Sequence, residues 1–396
     1  MKGKIKIGLV GLNYASSNFG CAALSYSFLR ILDEALKDSD MHADVNFFFS
    51  INAKVEKNNL PKAQYNTMTY RVVHFDKSKI GDLIKNIRTN DLFFDFTSGD
   101  SFSDIYGMDR FKKTTFVKSA VQFMGKPLIL GPQTYGPYST KAARTWSRFV
   151  FNHAKGIYAR DSMSVNRAKE LTHEEVKLVT DVAFGLPYDP EKYTIPSHDG
   201  EIKVGVNLSG LLFSGGYTRD NQFGLKTDYR LYAEKLMENL MRNKHYEVYI
   251  IPHAIAADLN FPDNDLIPAE HFRKIYPEIN IAPKFQDPMD AKSFISKMDI
   301  FTGARMHATI AAFSSGVCCI PFSYSPKFEG LYGDLGYERS INGKELSTED
   351  SVKLTIDYIE QFEILKKEQD AALKIARERL GVFESDMKEI MRSFAR

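Results

Sequence analysis

Arg305 and His307 stand two residues apart where a short strand, a turn and a small-residue helix are indicated by the run M-D-I-F-T-G-A-R-M-H-A-T-I-A-A-F. In an open α/β sheet, ligands bind at the carboxyl ends of the strands, and helix N-termini there favour anions. A guanidinium binds phosphate or carboxylate, and an imidazole transfers a proton near neutral pH. The pair therefore predicts a site that holds and protonates a phosphate-bearing substrate, with both residues as catalytic candidates.

The spacing of this pair restricts where each residue can lie. Two residues on a regular helix are about 200° apart, so they cannot share a face of it. Arg305 and His307 converge only if the arginine belongs to the turn and the histidine to the first helical turn. The alternative is that Arg305 caps the carbonyls of a neighbouring helix and that His307 is a hydrogen-bonded core residue.

Other predicted strand ends also carry polar side chains. His253 follows the predicted strand 247–252 and is the third catalytic candidate. Carboxylates, hydroxyls and amides suit sugar hydroxyls, whereas guanidinium and ammonium groups suit an anion. The residues predicted to bind substrate are Asn18, Asp100, Ser101, Gln133, Tyr135, Arg160 and Lys327.

Several of these candidates have a purely structural alternative. Asp100 and Ser101 could cap the next helix, a role that Asp and Ser fill well. Arg160 could form an ion pair within the fold. Asp263 and Asp265 form a D-x-D, a pattern that holds a metal in some glycosyltransferases, but their Pro- and Asn-rich loop favours a simple turn. We therefore predict no metal site.

Composition limits the class of protein. The length of 396 residues allows two domains, each with its own core. An apolar fraction of 43% and a net charge of +2 indicate an ordinary globular protein with no nucleic-acid partner. No run approaches the about 18 apolar residues of a membrane span, and the apolar start is too short and glycine-interrupted for a secretion signal. Three cysteines without a C-x-x-C spacing suit a reducing cytosol. We expect a cytoplasmic protein, with the inner face of the membrane as an alternative location.

Strand and helix patterns alternate along the chain, as in parallel sheets covered by helices. The predicted strands are 4–12, 45–49, 70–75, 92–96, 128–130, 156–159, 202–208, 247–252, 299–302 and 317–322. The Pro- and Gly-rich stretch 185–201 has no periodicity and marks a domain boundary. The sequence predicts an α/β fold of two Rossmann-like domains facing a cleft, over 1–188 and 200–345. A charged helical tail over 346–396, able to pack back on the first domain, completes the prediction.

The strand-end motifs, taken in order, resemble those of the polysaccharide pyruvyl transferase family. They are an early N-x-G, then S-G-D-S, L-G-P-Q-T-Y-G-P, Y-A-R-D-S-M-S, T-D-V-A-F, I-P-H, G-A-R-M-H-A and Y-S-P-K. The resemblance covers roughly residues 5–327. No single motif is decisive, but the ordered combination is specific.

This resemblance implies a GT-B-like fold and a transferase activity. Members of the family transfer a carboxyethylidene group from phosphoenolpyruvate to two hydroxyls of a sugar, in a surface polysaccharide or its lipid-linked precursor. Phosphoenolpyruvate would be the donor substrate, and no cofactor is expected. The first domain would hold the acceptor and the second the donor. Arg305 and Arg160 would bind the phosphate and carboxylate, and His307 or His253 would transfer the proton.

The chain departs from the family pattern at two places. Cys21 stands where family members commonly have Asp, and Ser98, Gly99 and Asp100 stand where they often have three glycines. Both departures lie in the predicted acceptor half, so the sequence leaves the acceptor sugar open. Two other functions remain open as well. One is a nucleotide-sugar-dependent glycosyltransferase on the same scaffold, and the other is a non-catalytic carbohydrate-binding or assembly protein. The oligomeric state and a peripheral association with the membrane are also open.

Overall fold

Short apolar runs rich in Phe, Val and Ile form the strands of two parallel sheets. The computed structural model describes residues 3–50, 55–56, 59–75, 80–196, 201–258 and 260–395. The first sheet has seven strands in the order β3-β2-β1-β4-β5-β6-β7. They are β1 Gly3–Val10, β2 Met41–Ser50, β3 Met68–Phe75, β4 Leu92–Asp95, β5 Leu128–Gln133, β6 Gly156–Ala159 and β7 Lys177–Leu178. Every pairing between neighbours is parallel.

The second sheet has six strands in the order β10-β9-β8-β11-β12-β13, again all parallel. The strands are β8 Ile202–Asn207, β9 Tyr246–Ile250, β10 Asn280–Ile281, β11 Ile300–Gly303, β12 Cys318–Ser323 and β13 Ile341–Asn342. The strand order reverses beside β8, which lies between β9 and β11. Such a reversal opens a crevice at the carboxyl ends of the strands.

Helices connect most of the strands. They are α1 Phe19–Asp38, α2 Ile80–Arg88, α3 Met108–Phe123, α4 Lys141–Asn152, α5 Ser162–Lys169, α6 Gly210–Phe213, α7 Tyr229–Arg242, α8 Leu266–Ile275, α9 Pro288–Ile295, α10 Met306–Ser315, α11 Pro326–Gly333, α12 Thr348–Glu360 and α13 Phe362–Ala395. Side chains at the residue before the helix satisfy otherwise unpaired N–H groups. Asp161 caps α5, Asp228 caps α7 and Asp287 caps α9. No helix within the described ranges is long and apolar enough to cross a membrane.

The chain divides into two compact units, and each contains one sheet. The first unit contains residues 1–15, 24–185 and 377–396, and the second contains residues 16–23 and 186–376. The break after Gly185 falls at the start of the predicted boundary stretch, of which residues 197–200 lie outside the described chain. The short segment 16–23 belongs to the second unit although it lies between two parts of the first.

The charged tail forms two helices, and the longer one contributes to both units. Within the second unit, the buried Gln369 of α13 accepts the Cys319 N–H at 2.8 Å and donates to the Val317 carbonyl at 2.7 Å. Within the first unit, Phe383 packs against Phe28. The last helix is therefore structural in each unit.

Candidate active site

The predicted catalytic residues of the second unit gather at the carboxyl edge of its sheet. Asn207 ends β8, His253 lies three residues beyond β9, and Arg305 lies two residues beyond β11. Because the strands are parallel neighbours in the order β9-β8-β11, their ends lie side by side. The edge therefore brings together residues that are up to 98 positions apart in the chain.

Arg305 is the residue that precedes helix α10, with an extended backbone at φ −90° and ψ 113°. Its backbone N–H donates to Asn207 Oδ1 at 3.1 Å, which fixes the turn. His307 lies in the first turn of α10 and is half-buried. This arrangement, with the arginine in the turn and the histidine in the first helical turn, is the one that the spacing requires for a shared site.

The Arg305 guanidinium is held by two carboxylates. Nη2 lies 2.6 Å from Asp265 Oδ1 and 2.5 Å from Asp263 Oδ1, and Nε donates to Asp265 Oδ1 at 3.1 Å. Nη1 makes none of these contacts. Burial opposes the charge, but the two carboxylates keep the pKa of Arg305 above its ordinary value. The arginine is consequently a cation held in a fixed orientation.

Asp265 is fully buried and connects the loops of this edge. Its Oδ2 accepts the backbone N–H groups of His253 at 3.0 Å and Ala254 at 2.9 Å, and its Oδ1 accepts the Gly210 N–H at 2.9 Å. Burial alone would raise the pKa of this carboxyl, but Arg305 and the N–H donors hold that pKa below its ordinary value. A permanently ionised Asp265 therefore fixes both Arg305 and the loop that carries His253.

His253 is a buried, neutral imidazole. Burial lowers the pKa of this ring from 6.5 to about 3; Asp265 opposes that shift, and His307 and Arg305 add to it. At neutral pH this ring is uncharged, so it can position a ligand or accept a proton but cannot act as an imidazolium acid.

The segment 16–23 packs against this edge. Phe19 donates its N–H to the His253 carbonyl at 3.3 Å, and Asn18 forms an antiparallel bridge with Ala254. The Asn18 side chain accepts the Gly20 N–H at 3.0 Å. A Cβ added at Gly20 would lie 2.5 Å from Nδ1 of His307. Glycine at this position therefore allows the imidazole to approach the backbone closely.

Two further residues of this site carry no sequence signal that singled them out. Asn207 donates to the Ile251 carbonyl at 2.9 Å and accepts from Arg305, but a polar residue at the end of an apolar strand is common. Tyr217 donates its hydroxyl to Asp263 Oδ2 at 3.0 Å. The position of Asn207 as the last residue of β8 is the one signal that could have identified it.

A comparison with protein families shows to which family the chain belongs. The model of the family described as polysaccharide pyruvyl transferase matches residues 18–326, which is most of the chain. The match begins at Asn18 and includes His253, Arg305 and His307. The chain belongs to the polysaccharide pyruvyl transferase family. It is therefore a transferase of polysaccharide biosynthesis.

Three solved structures are examples of proteins with a similar fold. A UDP-N-acetylglucosamine 2-epimerase from Listeria monocytogenes, named as putative, is 12% identical, with a TM-score of 0.56 over 94% of this chain and 92% of that one. A trehalose-6-phosphate protein from E. coli, bound with UDP-2-fluoro glucose, is 8% identical, with a TM-score of 0.57 over 97% and 99%. Sucrose-phosphate synthase from Thermosynechococcus elongatus is 9% identical, with a TM-score of 0.55 over 98% of both chains. At these identities the likeness shows the fold, and the predicted GT-B-like α/β class with a C-terminal helix is confirmed.

In this pyruvyl transferase family member, the other predicted binding residues are divided between the two units. Lys327 belongs to the second unit, where it is half-buried in the first turn of α11. The remaining five belong to the first unit: Asp100, Ser101, Gln133, Tyr135 and Arg160. As ligand contacts they stay predictions.

The fold already uses the polar atoms of these first-unit residues. Arg160 is buried and lies 2.6 Å from Asp181, the ion pair that was the alternative to anion binding. Gln133 donates to the Asp95 carbonyl at 2.9 Å, and Tyr135 donates to the Tyr158 carbonyl at 2.9 Å.

Asp100 and Ser101 are not the cap of helix α3, which Gly107 precedes without a side-chain cap bond. Asp100 accepts the Tyr106 hydroxyl at 2.9 Å, and Ser101 accepts from Arg110 at 2.7 Å.

The partner of both carboxylates of the D-x-D is Arg305. Asp263 and Asp265 both face the Arg305 guanidinium. Among the described residues, no group of three His, Cys, Asp or Glu side chains is arranged to hold a metal ion. The two carboxylates thus serve the arginine in this structure.

Proposed function

We propose that the chain transfers a carboxyethylidene group from phosphoenolpyruvate to two hydroxyls of one sugar, in a surface polysaccharide or its lipid-linked precursor. The observation that carries the proposal is the placement of Arg305 and His307 at the carboxyl edge of the second sheet, with the segment 16–23 packed against the histidine. A fixed guanidinium beside an imidazole is what an anionic donor that must be protonated requires.

Arg305 binds the donor in this proposal. Phosphoenolpyruvate carries a phosphate and a carboxylate, and a guanidinium can bind either group. Asp265 is fully buried and stays on the arginine, whereas the Asp263 side chain keeps 15% of its surface exposed. An anionic donor therefore competes with Asp263 and not with Asp265 for the second terminal nitrogen.

His307 transfers the proton in this proposal. The methylene carbon of the donor gains a proton and becomes a methyl group, while the central carbon accepts two sugar oxygens and loses phosphate. The two sugar hydroxyls lose two protons in total. One proton is accounted for by the new methyl group, and the other leaves with the phosphate. His253 is neutral above a pH of about 3, so it is a poor source of this proton. His307 is the remaining imidazole at the edge.

The proposal is tested by incubating the protein with phosphoenolpyruvate and a panel of glycans and lipid-linked glycans. Phosphate release together with a mass gain on the glycan is the expected result. His307→Ala should lower kcat by a factor of about 10² or more if the ring is the general acid. His307→Gln keeps a hydrogen-bond donor but supplies no proton, so it should be equally slow. The exposed His245→Gln is the control and should leave kcat unchanged.

Two results would contradict the assignment. Near-normal turnover by His307→Gln would limit His307 to positioning the donor. Absence of phosphate release with every glycan would remove phosphoenolpyruvate as the donor.

A nucleotide-sugar-dependent glycosyltransferase is the second candidate. The observation in its favour is the fold shared with a protein that is bound to UDP-2-fluoro glucose. Competition by UDP for the Arg305 edge, with sugar transfer from a UDP-sugar and no use of phosphoenolpyruvate, would support this candidate instead.

We further propose that the reaction takes place in the cytoplasm, at the inner face of the membrane, where lipid-linked precursors are exposed. The support is that Cys21, Cys318 and Cys319 form no disulfide within the described residues, which suits a reducing compartment.

A further inference from the structure

A second cavity lies entirely within the first unit, at the carboxyl edge of its sheet. It has a volume of about 250 Å³ and is lined by the ends of β1, β2, β3 and β4 and by one side of α3. The strand order of this sheet reverses between β1 and β4, so the cavity occupies the position where α/β sheets bind ligands. None of its lining residues belongs to the Arg305 edge.

The cavity is lined by aromatic and aliphatic side chains together with several hydroxyl groups. Phe48, Phe49 and Phe75 provide flat apolar surfaces, and Thr97 and Thr114 provide hydroxyl groups. The volume is near the lower limit of about 300 Å³ for small-molecule pockets, which suits one ring rather than a chain of rings. Aromatic faces attract the weakly positive C–H groups on the apolar face of a sugar.

The backbone that borders the cavity is strained. Thr97 and Ser98 have φ values of 41° and 54°, in the left-handed region that a β-branched residue rarely adopts. Gly11 is needed opposite them, because a Cβ there would lie 2.3 Å from the Thr97 nitrogen. The Ser98 N–H donates to the Gly11 carbonyl at 2.7 Å. Strain of this kind persists where the surrounding structure enforces it and concentrates at ligand sites.

A fully buried ion pair enforces this geometry. Lys118 Nζ lies 2.8 Å from Asp95 Oδ2 and 2.5 Å from Thr97 Oγ1, and the Thr97 hydroxyl donates to the same carboxylate oxygen. Asp95 lines the cavity, and its Oδ1 has no hydrogen-bond partner within the described part of the chain. A buried ion pair is weak evidence for stability alone, and a buried oxygen without a donor points to a missing polar partner.

We propose that this cavity is the subsite for one sugar ring of the acceptor. The ring places its apolar face on the phenylalanines and directs hydroxyl groups to the Asp95 and Thr97 side. That this sugar is the acceptor of the reaction rests on the proposed function. The Asp95 side of the cavity favours a neutral ligand, because Lys118 is already paired with Asp95 and the carboxylate would repel an anion. The exposed Lys113 also lines the cavity and can donate to a sugar hydroxyl.

Direct binding to the full chain tests the subsite without any donor. The probes are the methyl glycosides of glucose, galactose, mannose and N-acetylglucosamine, with uridine as a non-sugar ring, each at millimolar concentrations by saturation-transfer NMR and calorimetry. Thr114→Phe fills the cavity from helix α3, and Ser50→Trp fills it from the end of β2. Lys112→Phe adds the same ring at an exposed position of α3 that does not line the cavity.

We expect at least one glycoside to bind and both filling variants to weaken it by about tenfold or more, with Lys112→Phe unchanged. A thermal unfolding midpoint equal to that of the wild type is the check that the filling variants fold. Unchanged affinity in both folded filling variants overturns the proposal, as does the absence of binding by every glycoside. Binding of uridine alone, lost in Thr114→Phe, overturns the sugar assignment. Because no donor is present, failure of phosphate release from phosphoenolpyruvate leaves this test intact, so the two proposals fail separately.

Discussion

Asp265 determines the geometry of the Arg305 edge, because this buried carboxylate accepts backbone N–H groups and also binds the arginine. Both oxygens of Asp265 make such bonds, so the orientation of the Arg305 guanidinium and the position of the His253 backbone depend on one side chain. Asp263 has a different position, because it contacts the same guanidinium from a partly exposed site. The two acids of the D-x-D therefore differ: Asp265 is buried and structural, whereas Asp263 is the one that competes with the donor in the proposed function.

Asp263→Asn should tighten binding of the donor. Removing one negative charge from the guanidinium leaves Nη2 available, and an ion pair of this exposure is worth about 1 kcal/mol, so the KM for phosphoenolpyruvate should fall about fivefold. Steady-state phosphate release measures it. Asp258→Asn, an exposed change in the same loop, should leave KM unaltered. An increase in KM for Asp263→Asn would show that this carboxylate helps to orient Arg305 for the donor.

Stability should fall as the pH decreases through the range set by His253. The unfolded imidazole takes up a proton below pH 6.5, whereas the buried ring resists protonation until about pH 3. The unfolded state therefore binds more protons in this window, and the free energy of unfolding should fall by on the order of 5 kcal/mol across it. Urea unfolding at stepped pH values measures the slope. His253→Gln should flatten it, and an identical slope in that variant would contradict the assignment.

At the scale of elements, the site depends on how strands and loops meet. The parallel order β9-β8-β11 aligns three strand ends, and helix α10 begins one residue after Arg305. The segment 16–23 then supplies a fourth side, because it bonds to the loop after β9 and lies against His307. The early N-x-G motif is thus explained by contact with a histidine almost 290 residues later.

Gly20→Ala tests this contact. A methyl group at 2.5 Å from the imidazole Nδ1 forces either His307 or the segment to move, and a displacement of about 1 Å at a catalytic group costs on the order of 10² in rate. We expect a loss of kcat with the unfolding midpoint little changed. Gly81→Ala, where an added Cβ meets nothing within 4 Å, is the matched control and should keep full activity. Full activity in Gly20→Ala would show that His307 tolerates the shift or is not the acid.

At the scale of the whole molecule, local pattern identified the elements and tertiary pairing decided the site. Strand 156–159 has the predicted bounds, because apolar runs and turn residues are local signals. The predicted strand 128–130 ends before Gln133, but β5 continues through Gln133, so the amide of this residue bonds inside the fold. The partnership of Asp265 with Arg305 joins positions 40 apart, and no local pattern records it.

Chelation should leave the reaction unaffected. The acids near the donor site already face Arg305, and the guanidinium supplies the positive charge that a phosphate donor needs. Phosphoenolpyruvate-dependent phosphate release after treatment with EDTA, and again after addition of Mg²⁺, is the measurement, and equal rates are expected. A loss of activity that Mg²⁺ restores would assign the D-x-D a metal role.

The first unit is completed by a segment that follows the second unit in the sequence, since residues 377–396 belong with residues 1–15 and 24–185. On the ribosome, the first unit therefore lacks residues 377–396 until every part of the second unit has been made. The usual order, in which the N-terminal domain folds first, does not apply to its completion. Phe28 is left without the packing of its partner Phe383 until that residue, 355 positions later, has been made.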